Sequence, residues 1–339
     1  MQWWVSNIFS QYRVIRHETP NITIETDASL SGWGAILGKK TTGGRWAIHE
    51  QNNHINALEL MAIFLALKAF IAEIKGKHIL IMCDNTTAVS YISNMGGIKS
   101  TECNKISRDI WLFCIQNSIW VSVSHISGKN NVRADLKSRK FNDQLEWKLN
   151  TKVFNKLCAI WQKPDIDLFA SRLNYQIDKF CSWEPDPQAT FINAFTIDWS
   201  CFEYIYVFPP FSVLNRCIRK IKTDKASGLI IAPYWPTQIW FPSLMEILTD
   251  NPILIPRKTN LLMLPHLDKL HPLGKKLILI ACQVSGKISE VEDFLKHQQE
   301  FSWHHGSIRQ RNSITRTSKN GLSTVVKGKL INFRQLWRM

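Results

Sequence analysis

The stretch "ITIETDASLSGWGAIL", Ile22 to Leu37, decides how the first part of the chain is built. Ile22, Ile24 and Thr26 fall on one face and Thr23, Glu25 and Asp27 on the other, the period-2 alternation of a half-buried strand that delivers Asp27 on its polar side. The run "SGWGAILGKKTTGGRWAIHEQ" follows, two strand-like segments around a glycine-rich turn, so three consecutive antiparallel strands are expected. "HETPN" just upstream reads as a turn, and residues 1–20 as a connector.

Downstream the pattern changes to helix. "NALELMAIFLALKAFIAEI" lacks proline and glycine, is rich in helix formers and is apolar nearly all round, which marks a buried helix. Glu59 lies in its first turns, half a turn in angle from Lys68, so its carboxylate points inward, where an unmet charge is costly. "HILIMCD" is a continuous apolar run, expected to be a central strand covered on both faces with Asp84 at its C-terminal tip, the edge where ligands gather. "NTTAVSYISNM" and "TECNKISRDIWLFCIQNSI" read as helices separated by Gly96 and Gly97, "WVSVSHIS" as a last alternating strand, and Asp135 opens a late helix.

The bulk composition bounds the partners. The 339 residues suit two domains, and 45% hydrophobic content with 14 tryptophans is that of folded protein. A formal net charge of +15 points to a polyanion, nucleic acid first. The eight cysteines are scattered without zinc-site spacing, which suggests reduced thiols of an intracellular protein. No apolar run reaches the roughly 18 to 20 residues that span a bilayer, so a membrane role is not expected. Cytoplasm and nucleus are not distinguished, nor is the oligomeric state.

From about residue 150 the chain restarts. "PDIDLFA", "YIYVFPPF", "GLIIAPYWP" and "NPILIP" are strand-like runs separated by helix-like stretches such as "SVLNRCIRKIK", a second α/β domain placed at 155–285. The residues from Trp303 hold eight Lys or Arg and no acid, and 303–339 reads as a basic tail.

Four ordered motifs, "TDASLSGWGA", "HINALELMA", "CDNTTAVSYI" with the following "GG", and "HISGKNNVRADLKSR", resemble the ribonuclease H domain attached to reverse transcriptases, specifically that of DIRS-type retrotransposons. The resemblance covers about residues 22 to 140 and implies a ribonuclease H-like domain over 21–145, an α/β fold with a mixed five-stranded sheet and helices. It implies that Asp27, Glu59, Asp84 and Asp135 bind two Mg²⁺ or Mn²⁺ ions, and that His125, ten residues before Asp135, lies on a mobile loop and assists proton transfer or product departure. The substrate implied is an RNA/DNA hybrid. Asn131 matches a polar residue that orients it, Lys129 and Arg133 would meet phosphates, and Asn85 and Thr86 are candidate contacts on the same edge. The glycines around Trp33 and at 96 and 97 permit close approach of a duplex or serve tight turns, and both uses stand. "QWWVSNIF" resembles the end of a polymerase connection, and no polymerase motif precedes residue 22.

The chemistry explains the acids. Hydrolysing a phosphodiester needs an activated water and a stabilised leaving oxygen, and two metals about 3.5 to 4 Å apart serve both. Carboxylates crowded together need such cations to stay ionised, and hard oxygen donors suit Mg²⁺ or Mn²⁺.

Residues 165–245 resemble the methyltransferase-like domain found beside ribonuclease H in DIRS-type elements, through "DIDLFAS", "VFPPF" and "IAPYWPTQIWF". The likeness implies a cofactor-binding role for Asp167. Phe208 stands where active relatives carry an Asn, Asp or Ser whose oxygen accepts a hydrogen bond from the methylated amine, and a phenyl ring has no such acceptor. An RNA-cleaving hydrolase is therefore the expected function, with a noncatalytic nucleic-acid-binding remnant and a DNA adenine methyltransferase as alternatives.

Overall fold

The computed structural model describes residues 2–10, 19–20, 22–141, 146–258, 260–265, 267–301 and 322–336. The chain divides into two units, Met1–Phe141 and Asn142–Met339. No helix among the described residues is long and apolar enough to cross a membrane. All eight cysteines are free.

In the first unit, helix α1 (Gln2–Asn7) precedes strands β1 (Ile22–Ala28), β2 (Gly32–Leu37) and β3 (Lys40–Arg45). Helix α2 (Ile55–Ala69) and a single turn α3 (Ile71–Ile74) follow, then β4 (His78–Cys83), α4 (Thr86–Ser93), α5 (Thr101–Gln116), β5 (Trp120–His125) and α6 (Val132–Arg139). The sheet order is β3-β2-β1-β4-β5, the first three strands antiparallel and β4 and β5 running parallel to β1. Of the expected upstream turn, Thr19 and Pro20 are described, while His17, Glu18 and Asn21 lie outside the described residues.

The register carries the alternation through. Ile24 and Ala28 belong to the hydrophobic core with α2 and α5, whereas Asp27 points to the face that α6 covers, where its carboxylate meets Ser138. Helix α2 is buried nearly all round, as its composition dictates, and even Lys68 is half-buried, its ammonium 3.9 Å from the centre of the Phe64 ring.

Strand β4 differs from the expectation. Ile79, Ile81 and Cys83 are buried, but His78, Leu80 and Met82 are only half-buried, because α6 packs over β1, β2 and β3. The apolar run marked a central strand correctly, yet only one of its faces is closed.

The glycines around Trp33 serve the protein's own packing. A Cβ on Gly34 would lie 2.6 Å from the Ala134 carbonyl and 2.8 Å from the Ser138 nitrogen, so residue 34 must be glycine for α6 to lie this close to the sheet. Gly96 adopts φ +142°, and a Cβ on Gly97 would strike the Tyr91 ring, which places both in the turn after α4.

The second unit begins with β6 (Lys148–Leu149), α7 (Thr151–Ile160) and β7 (Ile166–Asp167), then a two-stranded ribbon of β8 (Cys181–Ser182) and β9 (Phe191–Ile192). β10 (Ile205–Val207), α8 (Leu214–Asp224), β11 (Ser227–Pro233), α9 (Trp240–Met245), β12 (Ile253–Ile255), β13 (Leu262–Leu264), β14 (Leu267–Leu270), β15 (Leu279–Ser285) and α10 (Ile288–Lys296) follow. The chain closes with β16 (Gln299–Glu300), β17 (Ser323–Val326), β18 (Lys329–Asn332) and β19 (Arg334–Gln335). A six-stranded sheet runs β19-β12-β15-β11-β10-β7, with β7, β10 and β11 parallel and β15 antiparallel between β11 and β12.

The expected basic tail is corrected here. β17 and β18 form a hairpin whose turn residues Lys327 and Gly328 take φ of +46° and +74°, and β19 extends the six-stranded sheet beside β12. The strands are two to four residues long, too short to show a period, and Lys-Gly was the turn signal. Residues 303–321 and 337–339, the rest of that segment, lie outside the described residues.

Candidate active site

Three acids from three elements meet at one end of the first sheet. Asp27 comes from β1, Glu59 from the first turns of α2 and Asp84 from the tip of β4, which pairs in parallel with β1. Asp27 and Glu59 are buried, at 3% and 4% exposure, and Asp84 is half-buried.

Each buried carboxylate is held by neutral groups. Asp27 Oδ2 accepts from the Ser138 hydroxyl at 2.5 Å, and its Oδ1 stands 3.5 Å from the Asn131 amide. Glu59 accepts from the Cys83 thiol at 3.6 Å and from the Ala28 backbone N–H. Burial first, then the charges of Asp27 and Asp84, push the Glu59 carboxyl up to about 8. Asp27 is raised to about 6, chiefly by burial, against the lowering effect of Ser138, with Asp84 and Asp135 adding to the rise.

Asp135 is placed differently. It sits in the first turn of α6, half-exposed, with Oδ1 accepting from Arg139 Nε at 2.5 Å. Its charge reaches Asp27, and the Arg139 guanidinium is stabilised by Asp135, Asp27 and Asp84 together. The four acids thus form one electrostatic neighbourhood with Arg139 at its exposed rim.

A divalent cation fits the donors. Ligand atoms of Glu59, Cys83 and Asp84 lie within 4.8 Å of one another, and the raised carboxyls are those that a cation would return to the ionised form. Burial raises the Cys83 thiol far above its ordinary range, so it stays protonated as a donor to Glu59, and the oxygens remain as ligands for a hard ion.

The remaining residues named from sequence fall in varied places. His125 ends β5 in register with Cys83, exposed, with Nε2 3.1 Å from the Asp84 carbonyl; it belongs to the strand rather than to the loop after it. That loop does pass the site, since a Cβ on Gly128 would lie 3.2 Å from Asp84 Oδ2. Asn131 is fully buried, its amide donating to the Thr26 carbonyl at 2.9 Å, so it ties α6 to β1 from inside and has no surface for a substrate. Arg133 donates to the Gly38 carbonyl, and Gly38 follows the far end of β2, four residues beyond the Gly34 that pairs with Asp27. Lys129 and Thr86 are exposed. Asn85 caps α4 by accepting from the Ala88 N–H and donates to Asn56.

Sequence reasoning missed Ser138, Arg139 and Cys83. The signal for the first two was their spacing, three and four residues after Asp135, which sets them on the same helix face.

In the second unit, Asp167 is buried at the end of β7 and accepts from the backbone N–H groups of Phe169 and Gln176, at 3.3 and 3.1 Å. Burial raises its carboxyl to about 6. β10 is the neighbouring parallel strand, with Tyr206 opposite Asp167, so Phe208 and the two prolines leave the same edge.

Residues 18–108 match the family described as the RNase H-like domain found in reverse transcriptase. The enzymatic polyprotein of Cauliflower mosaic virus (strain D/H) is 30% identical over 143 residues, 38% of this chain and 21% of the viral protein. That of Carnation etched ring virus is 30% identical over 131 residues, 35% of this chain and 19% of the viral protein. The chain therefore spans about a fifth of the length of these relatives. Among solved structures, RNase H1 from Halobacterium salinarum NRC-1 aligns with 34% of this chain and 92% of its own at 17% identity and a TM-score of 0.29. LC11-RNase H1, solved in complex with an RNA/DNA hybrid, aligns with 34% of this chain and 93% of its own at 17% identity and a TM-score of 0.31.

The first unit is a ribonuclease H-like domain with a mixed five-stranded sheet. Its residues 18–108 are similar to the domain of that kind found in reverse transcriptase, and further α/β structure follows it in the chain.

Proposed function

We propose that the first unit is a ribonuclease H that hydrolyses the RNA strand of an RNA/DNA hybrid by a two-metal mechanism, with Asp27, Glu59, Asp84 and Asp135 as ligands. The observation that carries this reading is Glu59: a buried carboxyl raised to about 8 beside two more acids, with a thiol and a backbone amide as its partners. Such a cluster is costly by itself and is relieved by cations.

Bound Mg²⁺ or Mn²⁺ supplies an activated water and a stabilised leaving oxygen. The chain's own contribution is placement. β1 and β4 set Asp27 and Asp84 side by side, α2 brings Glu59 up from the core, and α6 brings Asp135. His125, exposed with its ring beside the Asp84 carbonyl, handles protons or assists product departure. Lys129, exposed on the loop that passes Asp84, meets substrate phosphates. Arg139 at the rim pairs with Asp135 and orients its carboxylate. The duplex is selected by groove shape and 2′-hydroxyls.

The test is a gel assay with purified protein and end-labelled RNA in a hybrid. Shortened RNA with Mg²⁺ or Mn²⁺, and none with EDTA, is the expected result. Equal cutting of double-stranded DNA overturns the reading.

The second unit supports a narrower reading: a methyltransferase-like sheet of a DIRS-type retroelement without transfer activity. Asp167 and the Phe208-Pro209-Pro210 segment leave adjacent parallel strands at one edge, where α/β sheets bind ligands. Asp167 is committed to its own loop, and Phe208 offers no acceptor. No transfer of labelled methyl from S-adenosylmethionine to DNA is expected, and methyladenine that disappears on mutating Asp167 overturns it. The free cysteines fit a reducing, intracellular setting.

A further inference from the structure

We propose that Ser138 is the positioning residue of Asp27: its hydroxyl fixes the orientation in which that carboxylate meets a divalent cation. The inference rests on the ribonuclease H reading of the site. Ser138 is fully buried on α6, and its Oγ lies 2.5 Å from Asp27 Oδ2 across 111 positions of sequence. The other carboxylate oxygen, Oδ1, is 3.5 Å from the Asn131 amide, the outer limit of a hydrogen bond, while that amide makes its shorter bond to the Thr26 carbonyl. Oδ2 is therefore the tethered oxygen, and Oδ1 is the one left with lone pairs for an ion.

The hydroxyl is set there by rigid packing. Gly34 lets α6 lie against β2, since any Cβ would meet the Ser138 nitrogen at 2.8 Å, and the Ser29 hydroxyl donates to the Ser138 carbonyl at 2.6 Å. Both contacts fix the backbone of residue 138 relative to the strand that carries Asp27.

A competing use of the hydroxyl is visible. Ser138 Oγ also lies 2.9 Å from the Asp135 carbonyl one turn back, the usual back-bond of a helical serine. One proton serves one strong bond, and an ionised carboxylate at the shorter distance is the stronger acceptor. Outer partners that orient metal ligands typically change metal affinity or activity by about 10- to 100-fold when removed.

The experiment compares Ser138→Ala with the parent by Mn²⁺ calorimetry, by the Mn²⁺ dependence of hybrid cleavage and by melting in EDTA. The expected result is an Mn²⁺ dissociation constant weaker by about tenfold or more, within the range for outer partners. The Mn²⁺ concentration for half-maximal cleavage should rise in step, with the rate recovering at saturating Mn²⁺. Ser138→Cys, close in volume with a much weaker donor, gives the same comparison if the alanine variant does not fold. Ser138→Thr, which keeps the hydroxyl, should hold the parent's affinity. A variant without the hydroxyl that melts lower but binds Mn²⁺ like the parent overturns the inference alone, with Ser138 then a structural residue. A parent that binds no Mn²⁺ overturns the inference and the ribonuclease reading together.

Discussion

Asp27 lies one residue before the end of β1 and Asp167 ends β7; both are buried, and both carboxyls are raised to about 6. Their surroundings differ. Asp167 accepts from two backbone N–H groups of its own loop and has the Lys148 charge lowering its carboxyl. Asp27 is held by a serine from the other end of its unit and stands beside Asp84 and Asp135, whose charges raise it further. A perturbed acid therefore identifies a candidate site only when its neighbours are also acids; an acid met by backbone amides is building a loop.

The sharpest way to break this comparison is to remove the same charge twice. Asp27→Asn should abolish most hybrid cleavage, by more than the 10- to 100-fold typical of an outer partner. In EDTA at pH 8 it should not lower the melting temperature, because a repelled charge has gone. Asp167→Asn should leave cleavage at the parent's level and lower the melting temperature, since one backbone N–H then faces an amide NH₂, a loss of about 1–3 kcal/mol. Cleavage lost equally in both variants ends the distinction.

The strand tips also differ in their neighbours, and this sharpens the contrast. His125 stands exposed beside Asp84, whereas the segment beside Asp167 carries Phe208, half-buried and without a lone pair. His125→Ala should depress steady-state turnover by about tenfold, below the 10²–10⁴ of an obligatory general base, with metal affinity near the parent's. Metal titrations of His125→Ala that match those of Asp135→Asn would reduce the histidine to a strand-end residue.

How much of this was legible follows from what each signal depends on. The alternation around Asp27 and the unbroken helix of Glu59 are local patterns enforced by burial, and the first sheet follows them. The spacing of Ser138 to Asp135 showed only that the two share a helix face; its partner Asp27 was not legible, because that contact spans 111 positions. Asn131 was expected to orient substrate, and polarity says nothing of burial; at 0% exposure it ties α6 to β1. β15 was missed although it is central to the second sheet and "LILIACQVS" is an apolar run that follows the turn signals Pro272 and Gly274.

The same contrast has a pH signature. Glu59 is raised from 4.5 to about 8 and Asp27 from 3.8 to about 6. An acid whose folded value exceeds its unfolded one stabilises the fold in its protonated form, fully below the unfolded value, and that contribution is lost as pH rises through the folded value. In EDTA the melting temperature of the first unit should therefore fall between about pH 5 and pH 8. Mn²⁺ should restore it most at the alkaline end, with a gain of about 2.7 kcal/mol at a hundredfold excess over its dissociation constant. Asp167, raised from 3.8 to about 6, predicts a fall for the second unit that is complete by about pH 6, without recovery on adding metal. Recovery of both transitions would place a metal on Asp167.

The smallest effect concerns the second unit's part in holding nucleic acid. Because β17 to β19 belong to its sheets, deleting residues 303–339 would disturb the fold, and the cleaner change replaces Arg309, Arg311, Arg316 and Lys319 with glutamine. Each phosphate neutralised contributes a slope of about −0.9 to the plot of log affinity against log salt on a duplex, so four contacts set a ceiling of about 3.6 on the change. A formal net charge of +15 leaves many other cations to meet phosphates, so the expected flattening is well below that ceiling, on the order of one. Cleavage at low salt should stay near the parent's, because these residues add residence on the strand and no ligand to Asp27, Glu59 or Asp84. A slope unchanged within error would confine binding to the remaining basic residues and leave the second unit's segment without a phosphate contact.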